Sequence, residues 1–305
     1  MVTASESLVE LFLRATGANR VYLSAARAEA RVRERELRPA TFGVPRGLRR
    51  DIRISASRRH GWPVYRISPR GGNDAGRSSG SVVYAHGGGW ISEVAPQHWQ
   101  LAAQLAAECG TTVDLPIYPL IPFGSAAEVV GTVARLVLEN RDELGAAVLA
   151  GDSAGGQIAL SAALVLRDTF GVALPQTVLI SPALDLTFDN PRIPGVQPSD
   201  PWLGVPGGRI FAGRWRGDLE LRDPIVSPLF GELAGLGPMT VFTGTRDILN
   251  PDAELLRDRA AAARVTLEFN EGHGQLHVYP LLPTRVGGAA RARIVAAVRG
   301  ATRAG

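Results

Sequence analysis

Residues 151–155 read Gly-Asp-Ser-Ala-Gly and fit the pattern G-x-S-x-G. An apolar run at 146–150 precedes them, and a helix-compatible run at 157–164 follows. Strand, sharp turn and helix form the setting in which this motif is a nucleophile elbow, with the serine hydroxyl exposed above a sheet. The glycines let the turn and the helix approach closely. The pattern predicts that Ser153 is a nucleophile; a plain small-residue turn is the alternative.

A second motif, His-Gly-Gly-Gly-Trp at residues 86–90, follows the apolar run 81–85, which we interpret as a buried strand. Consecutive glycines expose backbone N–H groups, and two such donors aimed at one point form an oxyanion hole. An HGGG loop upstream of G-x-S-x-G is the pairing found in esterases and lipases. A flexible loop is the alternative for the glycines alone, but the order of the two motifs favours the oxyanion hole.

The serine needs a base, and the chain has five histidines. With a G-x-S-x-G nucleophile, the triad follows the chain order serine, acid, histidine. Only His273 and His277 come after Ser153 in the sequence. Both lie in a loop after an apparent strand at 265–269, which is where the histidine belongs. We favour His277 because its apolar neighbours can anchor it. His273 lies between two glycines, and its alternative interpretation is an exposed loop residue.

The acid is expected in a loop after a strand, between the serine and the histidine. Asp247 meets this condition because it follows the apparent strand 239–243. Asp252 is the rival, but it begins a helical pattern, where an acid is favoured by the helix dipole without any catalytic role. Asp185 also follows a strand, but it lies earlier in the chain than the usual acid.

Taken together, these motifs resemble the hormone-sensitive-lipase-like branch of the α/β-hydrolases. Residues 151–156 read GDSAGG in full, and residues 243–249 resemble the acid loop of that family, usually written D-P-L, with Ile248 where proline is common. Residues 274–277 resemble its histidine loop, and residues 223–229 match a further common segment. The resemblance extends from about Val82 to Leu282.

The resemblance implies an α/β fold with a mostly parallel sheet, helices on both faces and a helical cap. It implies that the oxyanion donors are the N–H groups of Gly88, Gly89 and Ala154. The expected function is that of a serine carboxylesterase or lipase, which hydrolyses short- to medium-chain esters through an acyl-enzyme without metal or organic cofactor. An amidase or carbamate hydrolase with the same triad is the first alternative. A non-catalytic receptor on this fold is the second.

One segment departs from the family pattern. Where the family often has Y-R-L-A-P-E, residues 113–122 read Val-Asp-Leu-Pro-Ile-Tyr-Pro-Leu-Ile-Pro, without the Arg and Glu. Those two residues support the oxyanion loop in the family. We therefore expect Asp114 or Tyr118 to brace that loop here.

The chain divides into four parts by its pattern. Residues 1–48 are expected as N-terminal cap helices, 49–186 and 218–305 as the two parts of the core, and 187–217 as a cap insertion. In the core, strands and helices alternate, which predicts a mostly parallel sheet. Residues 69–80 are rich in Gly, Ser and Asn and are predicted to form an exposed hairpin loop.

Aromatic residues near these motifs are candidates for a substrate pocket. Trp90, next to the oxyanion glycines, is the first candidate for the pocket wall, followed by Phe12, Trp202, Phe211 and Trp215. Packing between cap and core is the alternative for the last four. Apolar pockets discriminate one methylene by only about 1–3 kcal/mol, which predicts broad tolerance among short acyl chains.

The composition argues against a nucleic-acid partner. All 33 basic residues are Arg, and the net charge is only +4. The densest charged run, residues 27–38, mixes both signs, which is typical of a solvated helix face with internal ion pairs. A nucleic-acid surface should be more one-signed and carry interleaved aromatics. The expected partner is a small-molecule ester.

The remaining features concern the environment of the chain. The sequence contains no run of 18 apolar residues, so we expect no membrane span. The first residues lack the basic region of a secretory signal, and Cys109 is the single cysteine, so no intrachain disulfide can form. These features lead us to expect a cytoplasmic protein. A homodimer is compatible with the family resemblance, although no residue demonstrates one.

Overall fold

The computed structural model of this chain describes residues 4–39, 41–70 and 80–303. Most of the predicted hairpin loop, residues 71–79, lies outside the described residues. Within the described part, one sheet contains eight strands. They are β1 (Ile52–Arg59), β2 (Trp62–Pro69), β3 (Ser81–Ala85), β4 (Thr112–Pro116), β5 (Ala147–Asp152), β6 (Thr177–Ile180), β7 (Met239–Gly244) and β8 (Leu267–Gly272).

The strand order across the sheet is β1-β2-β4-β3-β5-β6-β7-β8. β2 runs antiparallel to both β1 and β4, and the six strands from β3 to β8 run parallel. β3 to β7 are buried along their whole length, which explains their continuous apolar runs. The predicted mostly parallel α/β fold is confirmed. The carboxyl ends of the parallel strands meet at one edge, where such sheets bind ligands.

Helices cover both faces of the sheet. In chain order the helices are α1 (Glu6–Thr16), α2 (Ala25–Leu37), α3 (Pro96–Cys109), α4 (Ala126–Leu144), α5 (Ala154–Phe170), α6 (Ile193–Val196), α7 (Val205–Trp215), α8 (Asn250–Ala262) and α9 (Arg285–Arg303). Side chains alternate along each strand, so Val83 and Leu149 pack with α4, α5 and α8, whereas Val82 and Val148 pack with α3 and α9. Two apolar layers therefore enclose the sheet.

The N-terminal segment and the 187–217 insertion contact each other at the carboxyl edge of the sheet. α2 packs against α7, and Arg214 forms an ion pair of 3.0 Å with Glu29. The N–H of Gly207 donates to the carbonyl of Tyr22 at 2.7 Å. The two predicted cap segments are thus neighbours; their function as a cap stays a prediction.

β8 differs from the strand expected at 265–269. It begins at Leu267 and continues to Gly272, because Glu271 and Gly272 pair with Thr243 and Gly244 of β7. The loop that carries His277 is therefore shorter than predicted, and both β7 and β8 end close to it. Among the described helices, none combines the length and apolar character needed to cross a membrane.

Candidate active site

Ser153 lies at the sharp turn between β5 and α5. Its backbone has φ +53° and ψ −118°, which is rare for a residue with a side chain and costs about 1–3 kcal/mol. The turn is held because the Ser153 N–H donates to the Ile180 carbonyl at 2.8 Å and the Ser153 carbonyl accepts from the Ala183 N–H at 3.1 Å. The strained turn points the hydroxyl towards the carboxyl edge of the sheet.

The glycine of the motif at position 155 is required by close packing. A Cβ there would clash with the carbonyl oxygen of Ala85 at the end of β3. A Cβ on Gly156 would lie 2.8 Å from Cβ of Pro182. α5 can therefore start directly against β3 and the loop after β6 only if both residues are glycine.

His277 joins Ser153 to Asp247. Its Nε2 lies 3.0 Å from Ser153 Oγ, and its Nδ1 lies 2.8 Å from Asp247 Oδ2. Asp247 Oδ1 accepts the N–H of Leu249 at 2.9 Å, which fixes the carboxylate. Burial lowers the pKa of His277, but the charge of Asp247 and its hydrogen bond outweigh burial and hold that pKa above the ordinary 6.5. The three residues predicted from chain order thus form one hydrogen-bonded line.

The rival residues lie elsewhere. His273 is exposed. Asp252 is buried and accepts a hydrogen bond of 2.7 Å from Asn190, and burial raises its pKa to about 7. Asp185 accepts hydrogen bonds from the residue two positions later in the chain. Neither carboxylate contacts His277.

Three residues with candidate oxyanion donors lie around Ser153. Gly88 and Gly89 have φ values of +127° and +62°, which suit glycine, and Ala154 is the first residue of α5. Within the described part of the chain, none of these three N–H groups has a protein acceptor. All three residues line cavities that contain Ser153. The geometry therefore leaves these donors available to a bound oxyanion.

Asp152, the residue before the serine, braces the glycine loop. Its Oδ1 accepts the N–H of Gly87 at 2.9 Å and the hydroxyl of Tyr84 at 2.7 Å. Its Oδ2 lies 3.2 Å from Nε2 of His98. Sequence reasoning missed both Asp152 and His98. Asp152 could have been found from its fixed place between Gly151 and Ser153, whereas His98 carried no signal.

Tyr118 forms the second brace. Its hydroxyl donates to the His86 carbonyl at 2.6 Å, and its ring stacks on the His86 ring with centroids 4.5 Å apart. Asp114, the other expected brace, instead pairs with Arg59 and Arg66 of the β1–β2 ribbon at 2.6 and 2.9 Å. Of the two residues expected to brace the oxyanion loop, Tyr118 is therefore the one that contacts it.

A cavity of about 680 Å³ opens on one side of Ser153. His277 and Trp202 line it together with residues of the N-terminal segment such as Tyr22 and Arg27. The Trp202 ring meets the His277 ring edge-on, with centroids 5.7 Å apart. Trp202 thus lines the cavity and also contacts the histidine; its contact with a substrate stays a prediction.

A second, smaller cavity of about 30 Å³ also borders Ser153. Two of the aromatic candidates, Trp90 and Phe211, line it, and Phe188 contributes a wall that sequence reasoning did not identify. The Phe211 ring meets the Tyr22 ring edge-on at 5.6 Å. The lining is almost wholly apolar, so this space suits a small hydrocarbon group.

Two of the aromatic candidates do not reach either cavity. Trp215 is fully buried behind Trp90, with ring centroids 5.7 Å apart, and both indole N–H groups donate to Oε1 of Gln157 at 2.9 and 3.1 Å. Phe12 is 65% exposed on α1. The structure therefore gives Trp215 a packing position behind the pocket wall rather than contact with a ligand.

A parallel sheet with a serine turn after a central strand and a glycine loop beside it is the architecture of the α/β-hydrolases. The family model described as alpha/beta hydrolase fold matches residues 82–281. The chain therefore belongs to the α/β-hydrolase family.

Similar proteins identify the branch. The chain is 32% identical over 211 residues to an acetyl-hydrolase of Streptomyces hygroscopicus, covering 67% of this chain and 70% of that protein. It is 33% identical over 204 residues to a triacylglycerol lipase of Mycobacterium tuberculosis, covering 66% of this chain and 42% of the lipase. A solved esterase of the bacterial hormone-sensitive lipase family has a TM-score of 0.76 and 25% identity, with 91% and 98% of the two chains covered. The chain is an enzyme of the hormone-sensitive-lipase-like group of esterases and lipases.

Proposed function

We propose that this enzyme is a serine carboxylesterase whose catalytic residues are Ser153, His277 and Asp247. The observation that carries the proposal is the hydrogen-bonded line from Asp247 through His277 to Ser153, with distances of 2.8 and 3.0 Å. That line ends beside three backbone N–H groups without protein acceptors in the described chain. Nucleophile, base, acid and oxyanion donors are then all present in one place.

The mechanism follows from these positions. His277 Nε2 takes the hydroxyl proton as Ser153 Oγ attacks the ester carbonyl, and Asp247 stabilises the imidazolium. The N–H groups of Gly88, Gly89 and Ala154 bind the tetrahedral oxyanion. The imidazolium returns the proton to the leaving alcohol, and an acyl-enzyme remains. Water, deprotonated by His277, then attacks the acyl-enzyme, and Ser153 leaves with the proton.

The two cavities support a proposed placement of the two halves of the ester. His277 lines the large cavity and not the small one, and His277 must reach the leaving alcohol in order to protonate it. The alcohol therefore extends into the cavity of about 680 Å³, and the acyl chain enters the apolar cavity of about 30 Å³. Because one buried water needs roughly 10–15 Å³, the acyl cavity accepts only about two to three heavy atoms.

The activity on p-nitrophenyl acetate, butyrate, octanoate and palmitate tests the proposal. We expect acetate to be hydrolysed best and octanoate to be slower by roughly 100-fold or more in kcat/KM, because each methylene that does not fit costs about 1–3 kcal/mol. A fluorophosphonate should abolish the activity and label Ser153, as peptide mass spectrometry would show. Phe211→Leu, which shortens one wall of the acyl cavity, should move the preference towards longer acyl chains.

Three results would count against this proposal. Activity that survives complete labelling of Ser153 would exclude the serine mechanism. Equal rates on acetate and octanoate would exclude the small cavity as the acyl site. Faster cleavage of p-nitroacetanilide than of p-nitrophenyl acetate would identify an amidase instead.

The pH profile is a further prediction. His277 acts as a base only when neutral, and its pKa lies above 6.5 because Asp247 outweighs burial. The value of kcat/KM should therefore be maximal at higher pH, where His277 is neutral. It should fall as the pH decreases through a midpoint above 6.5. Stopped-time assays with p-nitrophenyl acetate, together with recovery of activity on return to neutral pH, would measure this limb. A midpoint below 6.5 would contradict the assignment.

A further inference from the structure

Asp200, in the 187–217 insertion, is a buried carboxylate beside the loop that carries Asp247. The residue is 5% exposed. Its Oδ1 accepts the N–H groups of Trp202 and Leu203 at 2.8 and 2.9 Å. Its Oδ2 accepts the N–H of Ile248 at 3.0 Å. One carboxylate therefore connects the insertion to the acid loop.

The donor on the acid loop exists because of a departure from the family sequence. Position 248 commonly holds proline in the D-P-L pattern, and proline has no backbone N–H. The backbone N–H of Ile248 donates a hydrogen bond to Asp200. The next N–H, that of Leu249, donates to Asp247 at 2.9 Å. Two consecutive backbone donors thus bind two different carboxylates, which fixes the loop relative to the insertion.

The other side of the acid loop is held in a similar way. Arg246 forms two hydrogen bonds to the Glu10 carboxylate of α1, at 2.9 and 2.8 Å. Its Nε also donates to the Ser199 carbonyl at 3.3 Å. The residues directly before and after Asp247 therefore both contact the segments that lie over the carboxyl edge of the sheet.

Asp200 is also connected to the histidine through Trp202. The Asp200 carboxylate holds the backbone of Trp202, whose ring meets the His277 ring edge-on at 5.7 Å. A side chain that fixes both the loop of the acid and the residue packed on the base is well placed to set their relative geometry.

We propose that Asp200 is a positioning residue for ester hydrolysis, which holds Asp247 and His277 in register with Ser153. The inference rests on the proposed function of those three residues. In this proposal, Asp247, His277 and Ser153 are aligned for hydrolysis only when residues 197–203 pack on the loop that carries Asp247.

The charge of Asp200 adds a measurable effect. The titratable and charged groups around it are Asp247, His277, Arg246 and Tyr22. Burial and the charge of Asp247 raise the pKa of Asp200 to about 6, so it is mostly ionised at neutral pH. Its negative charge then contributes to raising the pKa of His277. Loss of that charge should lower the pKa of His277 and keep the base neutral at lower pH.

Asp200→Asn tests the proposal in the full-length enzyme. Asparagine keeps one oxygen for Trp202 and Leu203 but places an NH₂ opposite the Ile248 N–H. We expect kcat for p-nitrophenyl acetate to fall roughly ten-fold with little change in KM. We also expect the acid limb of kcat/KM to move down by roughly 0.5–1 pH unit. Asp189→Asn, on the same insertion but 57% exposed, is the matched control and should change neither value.

Ile248→Pro separates the hydrogen bond from the charge. It removes the donor but keeps the Asp200 carboxylate, so kcat should fall while the acid limb stays closer to its native position. Ile248→Val, which keeps the N–H but shortens the same side chain, is the reference for Ile248→Pro, because residue 248 also lines the acyl cavity. Combined with Asp200→Asn, Ile248→Pro should add little further loss, since both changes remove the same hydrogen bond.

Each outcome decides between positioning and simple support of the fold. Near-native kcat and an unmoved acid limb in Asp200→Asn would overturn the inference. A lower unfolding midpoint with both kinetic values native at a temperature where the variant is folded would also overturn it, because Asp200 would then only stabilise the fold. If Ser153→Ala stays fully active, the proposed function itself fails; if that variant is inert, only the inference on Asp200 is in question.

Discussion

His277→Ala should lower kcat for p-nitrophenyl acetate by roughly 10⁶-fold, and His273→Ala should leave most of the activity. His277 is buried and lies 3.0 Å from Ser153 Oγ, so its removal leaves the hydroxyl without a base. His273 is exposed and only four positions earlier in the chain, which makes it a matched control.

The measurement is kcat for both variants and for Ser153→Ala, each with a circular-dichroism check of folding. Ser153→Ala alone and the double variant Ser153→Ala with His277→Ala should be about equally inactive, because the two residues act as a unit. A fully active His277→Ala, or an inactive but folded His273→Ala, would reverse the assignment of the base.

Asp247→Asn should lower kcat by roughly 10⁴-fold with little loss of structure. The amide keeps the shape of the carboxylate, but it can donate to His277 Nδ1 and so favour the tautomer in which Nε2 carries the proton and cannot accept one from Ser153. It also removes the charge that raises the pKa of His277. Any residual activity should therefore persist to lower pH than in the native enzyme.

Asp252→Asn is the control for this prediction. Asp252 is equally buried, but its Oδ1 accepts from Asn190 and it does not contact His277. We expect kcat to stay within a few-fold of native, whatever the change in unfolding temperature. Comparable losses of kcat in Asp247→Asn and Asp252→Asn, both folded, would leave the identity of the acid open.

The site residues that sequence could predict are those fixed by chain order and local pattern. Ser153 follows from its turn between strand and helix, and Asp247 and His277 follow because the ends of parallel strands meet at one edge. The parallel sheet itself follows from the alternation of apolar runs and helical segments.

Contacts between distant segments could not be predicted in the same way. His98 and Asp152 are 54 positions apart, and no spacing rule joins them. Asp200 reads as one of several acids in a loop until its partner Ile248 is known, 48 positions away. Likewise, Trp90 and Trp215 are alike by residue type, and only packing shows that one faces the cavity while the other lies behind it.

If the acyl chain and the alcohol occupy the two cavities as proposed, the choice of acid and the choice of alcohol can evolve almost independently. The two linings share only Tyr22, Gly89, Ser153 and Leu203 among the described residues. New alcohols could be admitted by redesign of the N-terminal helices with no change in the acyl cavity. Tyr22 and Leu203 are the exceptions, because their side chains border both spaces, and a library at either position would alter both preferences at once.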